Sequence, residues 1–192
     1  AGMEKSRPVK TLILNGSTKK NGDTHALVDA FTGALEGEVR SITYFDHITP
    51  YLDAALLEKA DCSMDDKMQE IYPFLAQCDH VLLASPICFS SLSGPLLNVA
   101  RRVQTYFAGR FFRGEPELLK QKNGVLLLAG AEPGTERKLL ETARIIMSNK
   151  RWTFVAAICS MPTNKVSAKK DEEALRAARD AAKTRNQLYH KI

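Results

Sequence analysis

Ser17, Thr18, Lys19, Lys20 and Thr24 crowd hydroxyl and ammonium groups into one short stretch, with Gly16 and Gly22 among them. Hydroxyls, cations and free backbone amides are the groups that hold a small oxyanion. Their setting is Leu12–Leu27, LILNGSTKKNGDTHAL, where an apolar run breaks into a polar loop and reopens as a helix. The first amides of a helix have no intrahelical partner, and the helix dipole adds partial positive charge there. Glycines let the backbone close around an anion. No Gly-Lys-Ser/Thr stands at Walker A spacing and no G-x-G-x-x-G is present, so the set suits a terminal monophosphate. An ordinary strand–helix turn uses the same residue types, and the loop alone leaves both readings open.

A second polar stretch shifts the balance. Ser85–Gly94, SPICFSSLSG, follows another apolar run and leads into a helix that opens with Gly94-Pro95. Such a loop offers N–H and C=O groups to the polar edge of a flat heterocycle, with Ile87 and Phe89 available to cover its face. The plain alternative makes Phe89 a core aromatic and Ser90–Ser93 a capping run. Together the two loops imply a flavin rather than a nucleoside triphosphate.

The elements that must position these loops follow from hydropathy. Val9–Asn15, Asp79–Ser85, Gly124–Gly130 and Thr153–Cys159 are compact apolar runs of strand length, and Val39–Phe45 alternates like an edge strand. Continuous apolar runs predict strands covered on both faces, hence a parallel sheet. Helices are predicted over Thr24–Leu35, Asp65–Ala76, Pro95–Phe107, Thr135–Asn149 and Asp171–His190. Asp23 or Thr24 caps the first, and the last carries a narrow apolar face of Ala174, Ala177, Ala178, Ala181 and Leu188. Strict alternation of strand and helix predicts a doubly wound five-stranded parallel sheet of order 2-1-3-4-5 in three αβα layers. In that order the first and third strands flank the point where ligands settle, which is where the two loops fall. Two connections are long, Asp46–Met64 and Ala108–Lys122, and are candidates for substrate access or subunit contact.

Composition narrows the class. The 192 residues are 44% apolar and 26% charged, enough for one α/β domain, expected over residues 3–192. Ala1-Gly2 ahead of Met3 has the look of a scar left by tag removal. No apolar run approaches the ~18 residues of a membrane span, and the first residues, AGMEKSRP, do not resemble a signal peptide. A net charge of +5 permits nucleic-acid binding, but the basic residues are interspersed with acidic ones and no aromatic-basic module appears. Cys62, Cys78, Cys88 and Cys159 are widely spaced, which suits free thiols in a reducing cytoplasm.

The chain resembles the flavodoxin-like NAD(P)H-dependent FMN reductase family, and within it the iron–sulfur flavoprotein branch. Asn15-Gly16-Ser17-Thr18-Lys19-Lys20-Asn21-Gly22-Asp23-Thr24 is similar to that family's FMN-phosphate loop, and Ser85–Gly94 to its isoalloxazine loop. Leu118-Leu119-Lys120 and Ala129-Gly130-Ala131, on either side of the fourth strand, fit the same pattern. The resemblance implies cofactor contacts from Ser17, Lys19, Gly22, Asp23, Thr24, Pro86, Ile87, Cys88, Phe89, Ser90 and Gly130. It implies FMN as cofactor and NAD(P)H as co-substrate. Asp23 stands where the family usually has Asn, Lys19 where it has Arg, and Cys88 where Tyr is common. A carboxylate beside a phosphate repels it unless turned away, so Asp23→Asn is expected to tighten FMN binding. The branch's cluster needs a compact cysteine group before the second helix; Cys62 is alone there, so no cluster is expected.

The remaining candidates are given bland roles. His25 is expected to face solvent, His80 to sit at a strand edge, and His190 to lie in a frayed tail; His47 invites a catalytic role that nothing else supports. Cys88 is expected to be a buried small hydrophobe rather than a redox thiol. No metal site and no nucleophile–base set are expected. Arg110, Phe111, Phe112 and Arg113 suit dimer packing. The resulting expectation is a cytoplasmic homodimer or tetramer that takes hydride from NAD(P)H and reduces a small acceptor such as a quinone or flavin. It would bind neither nucleic acid nor membrane. A flavodoxin-type electron carrier and a phosphate- or nucleotide-binding module that has lost FMN affinity remain alternatives.

Overall fold

The apolar runs become strands whose side chains are covered on both faces. The computed structural model describes residues 8–44, 48–88, 90–114, 121–132, 134–148, 150, 152–160 and 167–187. In chain order the elements are β1 (Lys10–Asn15), α1 (Asp23–Ala34), β2 (Glu38–Thr43), α2 (Ala54–Glu58), α3 (Met68–Gln77), β3 (His80–Cys88) and β4 (Ser91–Leu92). Then come α4 (Gly94–Phe112), β5 (Lys122–Ala129), α5 (Glu136–Ser148), β6 (Trp152–Cys159), a 3-10 turn (Ala168–Lys170) and α6 (Glu172–Gln187). The parallel path is β2-β1-β3-β5-β6, the expected doubly wound order, and the two-residue β4 pairs antiparallel with the end of β3.

Helices cover both faces of the sheet. Leu12, Leu14, Val81, Leu83, Leu126 and Leu128 pack against α3, α4 and α5; Ile13, Leu82, Val125 and Leu127 pack against α1 and α6. The alternation follows from side chains pointing to opposite faces along each strand. β2 and β6 are the edges, and both expose residues, Val39 and Ser41 on one and Thr153 and Val155 on the other. Ala174, Ala178 and Ala182 are the buried stripe of α6, and their small side chains let that helix lie close to the sheet. Leu188 lies outside the described residues.

Three differences from the sequence reading have physical causes. β3 runs three residues past Ser85, because Ile87 and Cys88 find ladder partners in Leu92 and Ser91 rather than forming an open loop. α4 runs to Phe112, so the first part of Ala108–Lys122 is helix and not insertion. α3 begins at Met68 instead of Asp65, since the Asp66 carboxylate accepts the Met68 N–H at 2.9 Å and holds the preceding residues out of the helix. Among the described residues, no helix is long and apolar enough to cross a membrane.

Candidate cofactor site at the carboxyl end of the sheet

The β1–α1 loop leaves the sheet at Asn15 and is braced before it reaches the helix. The Gly16 N–H donates to the Ala84 carbonyl at 2.8 Å, and the Asn15 side-chain oxygen accepts the Ser17 N–H at 3.0 Å. The Ser17 hydroxyl oxygen accepts the Lys19 N–H at 3.1 Å. Ser17 and Thr24 are buried, while Lys19 and Lys20 are exposed. The N-cap of α1 is Gly22, with no side chain bonded to the first amides, so Asp23 and Thr24 do not cap the helix as the sequence suggested. Two other helices are closed by their own residues: Asp53 accepts from Leu56 at the start of α2, and Ser93 from Leu96 at the start of α4. The start of α1 is therefore open to an anion.

Serines join this loop to the β3–β4 hairpin. The Ser85 hydroxyl oxygen accepts the Ser93 N–H at 2.8 Å, and the Ser93 hydroxyl donates to the Gly16 carbonyl at 2.8 Å. Gly16 packs so closely here that a Cβ would stand 2.3 Å from the Ser93 Oγ and 2.5 Å from the Leu96 Cβ. Pro86 pairs with Ala129 across the ladder, which brings Gly130, at φ +87°, next to the hairpin. The Ser160 hydroxyl receives the Gly130 N–H at 3.4 Å. Three loops thus converge at the β1/β3 switch point and the adjacent end of β5.

Not every proposed contact takes its expected form. Cys88 is exposed rather than buried, because β3 carries it beyond the end of the sheet. Pro86 and Ile87 are half-buried, and Ser90 makes the hairpin turn at φ +57°. Phe89 lies outside the described residues, as do His47, His190 and the Leu118-Leu119-Lys120 stretch. The Asp23 carboxylate is engaged away from the loop: its Oδ1 accepts the Ser167 hydroxyl and the Ala168 N–H, each at 2.7 Å. His25 is only partly exposed and its Nε2 lies 3.2 Å from Asp29. His80 is fully buried at the start of the central strand β3, not at an edge. Burial, seconded by the Arg185 charge, pushes its pKa down to about 4.

Sequence reasoning missed the residues that tie the site's surroundings together. Arg102, buried in α4, donates from Nη1 to the Asp66 carboxylate and to the Pro50 carbonyl, each at 2.9 Å. Asn98, one turn earlier, donates to the Thr49 carbonyl at 2.7 Å. The long connection after β2 is thereby strapped to α4. Nothing in composition flags these partners, which stand 36 to 52 residues apart. The thiols of Cys62, Cys78 and Cys159 all have raised pKa values, chiefly through burial, the latter two to about 11. None of the three is poised as a thiolate.

Known proteins align with this arrangement. The family model for NADPH-dependent FMN reductase matches residues 9–165. An iron-sulfur flavoprotein of Methanocaldococcus jannaschii is 23% identical over 198 residues, covering 94% of this chain and 96% of that one. Among solved structures, an NAD(P)H:quinone oxidoreductase from Methanothermobacter marburgensis superposes with a TM-score of 0.68 at 16% identity, covering 92% of this chain and 95% of the other. An azoreductase from Bacillus anthracis superposes with a TM-score of 0.57 at 14% identity, covering 94% and 100%. At these identities the structural likeness speaks to fold.

Proposed function

The chain belongs to the NADPH-dependent FMN reductase family, and from that premise we propose that it oxidises NAD(P)H through FMN and reduces a small acceptor such as a quinone or a free flavin. The observation that carries the proposal is the uncapped start of α1 beside a braced loop, clamped by Ser93 to the β3–β4 hairpin. The residues fit the cofactor. Ser17, Lys19, Gly22 and Thr24 present hydroxyls, a cation and free amides to its phosphate. Pro86, Ile87, Cys88, Ser90 and Gly130 would surround its ring; Phe89, the other residue expected there, lies outside the described residues. Asp23 sits among the phosphate residues but acts on them indirectly, through the turn at Ser167 and Ala168.

FMN accepts a hydride and returns electrons one or two at a time, so the protein's task is to bind, orient and tune it. The β3–β4 hairpin and the β5 end would flank the heterocycle, and Gly130 would admit its close approach because it carries no side chain. No side chain is assigned proton transfer. The exposed Phe111 and Phe112 at the end of α4, beside Arg110 and Arg113, support packing against a second copy, and sedimentation measures it.

A visible spectrum of the purified protein tests the reading, recorded before and after FMN, then after NADPH without oxygen. Flavin absorbance that bleaches with NADPH, followed by reoxidation with a quinone, is expected. Lys19→Ala should weaken FMN binding about tenfold, the worth of one charge-assisted contact. Bound flavin that neither NADPH nor NADH reduces would leave an electron carrier, and no flavin uptake at all would end the proposal.

A further inference from the structure

The shortest pairing in the sheet stands beside the phosphate loop. Two ladder pairs, Ile87 with Leu92 and Cys88 with Ser91, close the β3–β4 hairpin. A two-stranded hairpin is marginal by itself in water. This one also turns through Ser90 at φ +57°, a left-handed conformation that crowds any residue bearing a Cβ. Its closed form therefore depends on support from outside the ladder.

That support comes from two serines acting in series. Ser85 and Ser93 stand at the two ends of the hairpin, and both are buried. The Ser93 N–H donates to the Ser85 hydroxyl oxygen at 2.8 Å, and the Ser85 hydroxyl donates to the Pro86 carbonyl at 2.6 Å. The Ser93 hydroxyl continues the chain into the β1–α1 loop, donating to the Gly16 carbonyl at 2.8 Å. Gly16 donates its own N–H to the Ala84 carbonyl at 2.8 Å, one residue before Ser85. Both polar groups of Gly16 are thus held by residues that flank the hairpin, immediately before the Ser17 amide. A Cβ at Gly16 would stand 2.3 Å from the Ser93 Oγ, so the contact has no slack. The two loops move together or this bond breaks.

We propose that Ser93 and Ser85 transmit occupancy of the phosphate loop to the β3–β4 hairpin, so that an anion at the start of α1 favours the closed hairpin. The inference rests on the reading of that loop as an anion site. An anion that gathers the loop's amides fixes the Gly16 carbonyl, and with it the acceptor on which the Ser93 hydroxyl depends. A fixed acceptor keeps the chain of bonds intact for a larger fraction of the time, and the hairpin closed with it. By linkage, a closed hairpin tightens the loop's hold on the anion by the same factor. Ser85 and Ser93 act through Gly16 rather than by touching the anion, which makes them positioning residues.

Amide hydrogen exchange of the flavin-free protein, with and without inorganic phosphate, tests the relay. Phosphate is expected to slow exchange at Ser93 and at the ladder residues Ile87, Cys88, Ser91 and Leu92 about fivefold, while the amides of α5 keep their rates. Ser85→Ala cuts the relay at the hairpin and should abolish that slowing, although saturating phosphate still binds as judged by broadening of its phosphorus resonance. Ser93→Ala cuts it at the phosphate loop and repeats the test should the first variant fold poorly. Phosphate that binds without slowing the hairpin, or slows it equally in the serine variants, would overturn the relay and leave the anion reading standing. Protein that binds neither phosphate nor FMN would overturn both.

Discussion

The two ends of the sheet solve opposite problems with the same kinds of residue. At the amino end, charged groups are deeply buried and the chain itself answers them. The Asp79 carboxylate accepts the Lys10 N–H at 2.9 Å, and the Lys122 ammonium donates to the Cys78 and Ala76 carbonyls at 2.9 and 3.3 Å, closing the end of α3. At the carboxyl end the start of α1 has no cap and the Asn15 Nδ2 no partner among the described residues. The buried ammonium of Lys122 and the Asp79 carboxylate are met within the polypeptide at one end, whereas the other presents an open helix start. Stability and ligand affinity should therefore separate by end, as expected where ligands settle at the carboxyl ends of parallel strands.

Removing the Lys122 ammonium should have the largest effect. Lys122→Met leaves the α3 carbonyls without their buried donor and is expected to cost about 2–4 kcal/mol of stability. Urea denaturation measures the loss, and FMN titration below the unfolding midpoint should return unchanged affinity. A matching loss of affinity would break the comparison. The acid range probes the same end. Burial holds His80 at a pKa of about 4 against an ordinary 6.5, so unfolding lets the imidazole take up a proton between those values. Stability conferred by the neutral ring is full above pH 6.5 and falls as pH drops toward 4, by about 3 kcal/mol at most. Comparing the pH slope of unfolding with that of His80→Phe isolates this contribution, and identical slopes would refute it.

What the sequence made legible follows the same division. The apolar runs of β1, β3 and β5 could be read directly because strands covered on both faces need apolar residues at every position. The β1–α1 loop was legible because hydroxyls, lysines and glycines gather within one local segment. The hairpin was not: Ser85–Gly94 is rich in turn formers, and only the ladder between Ile87–Cys88 and Ser91–Leu92 makes it sheet. The burial of His80 was hidden because its neighbours come from elements far along the chain, as were the Arg102 bonds to Asp66 and Pro50. Local chemistry shows in a sequence, whereas long-range partners appear only once the chain is folded.

Ser93 lies between the two regimes. Its hydroxyl caps α4 and holds the Gly16 carbonyl, so it belongs to the scaffold and to the site at once. Ser93→Ala should cost about 1–2 kcal/mol, the combined effect of a lost cap and a lost buried hydrogen bond. Unlike Lys122→Met, it should weaken FMN binding in parallel, because the phosphate loop loses its tie to the hairpin. Affinity that survives intact would mean the loop is positioned by the Gly16–Ala84 bond alone.

Asp23 gives the smallest and most discriminating effect. Its carboxylate stands at the first turn of α1, where a negative charge opposes a bound phosphate, yet its oxygen is directed at Ser167 and Ala168. Asn offers the same acceptor without the charge. Asp23→Asn should therefore lower stability by no more than about 1 kcal/mol, the difference between a charged and a neutral acceptor. FMN affinity should rise only about threefold, because a charge turned toward its own donors acts on the phosphate through partly screened space. Paired unfolding and flavin titrations distinguish the outcomes. A large gain in affinity would mean that the carboxylate faces the cofactor despite its bonds to the turn. A fall in affinity would mean that the Asp23–Ser167 tie holds the phosphate loop in shape, and that the open end of the sheet depends on a contact as scaffold-like as those at the closed one.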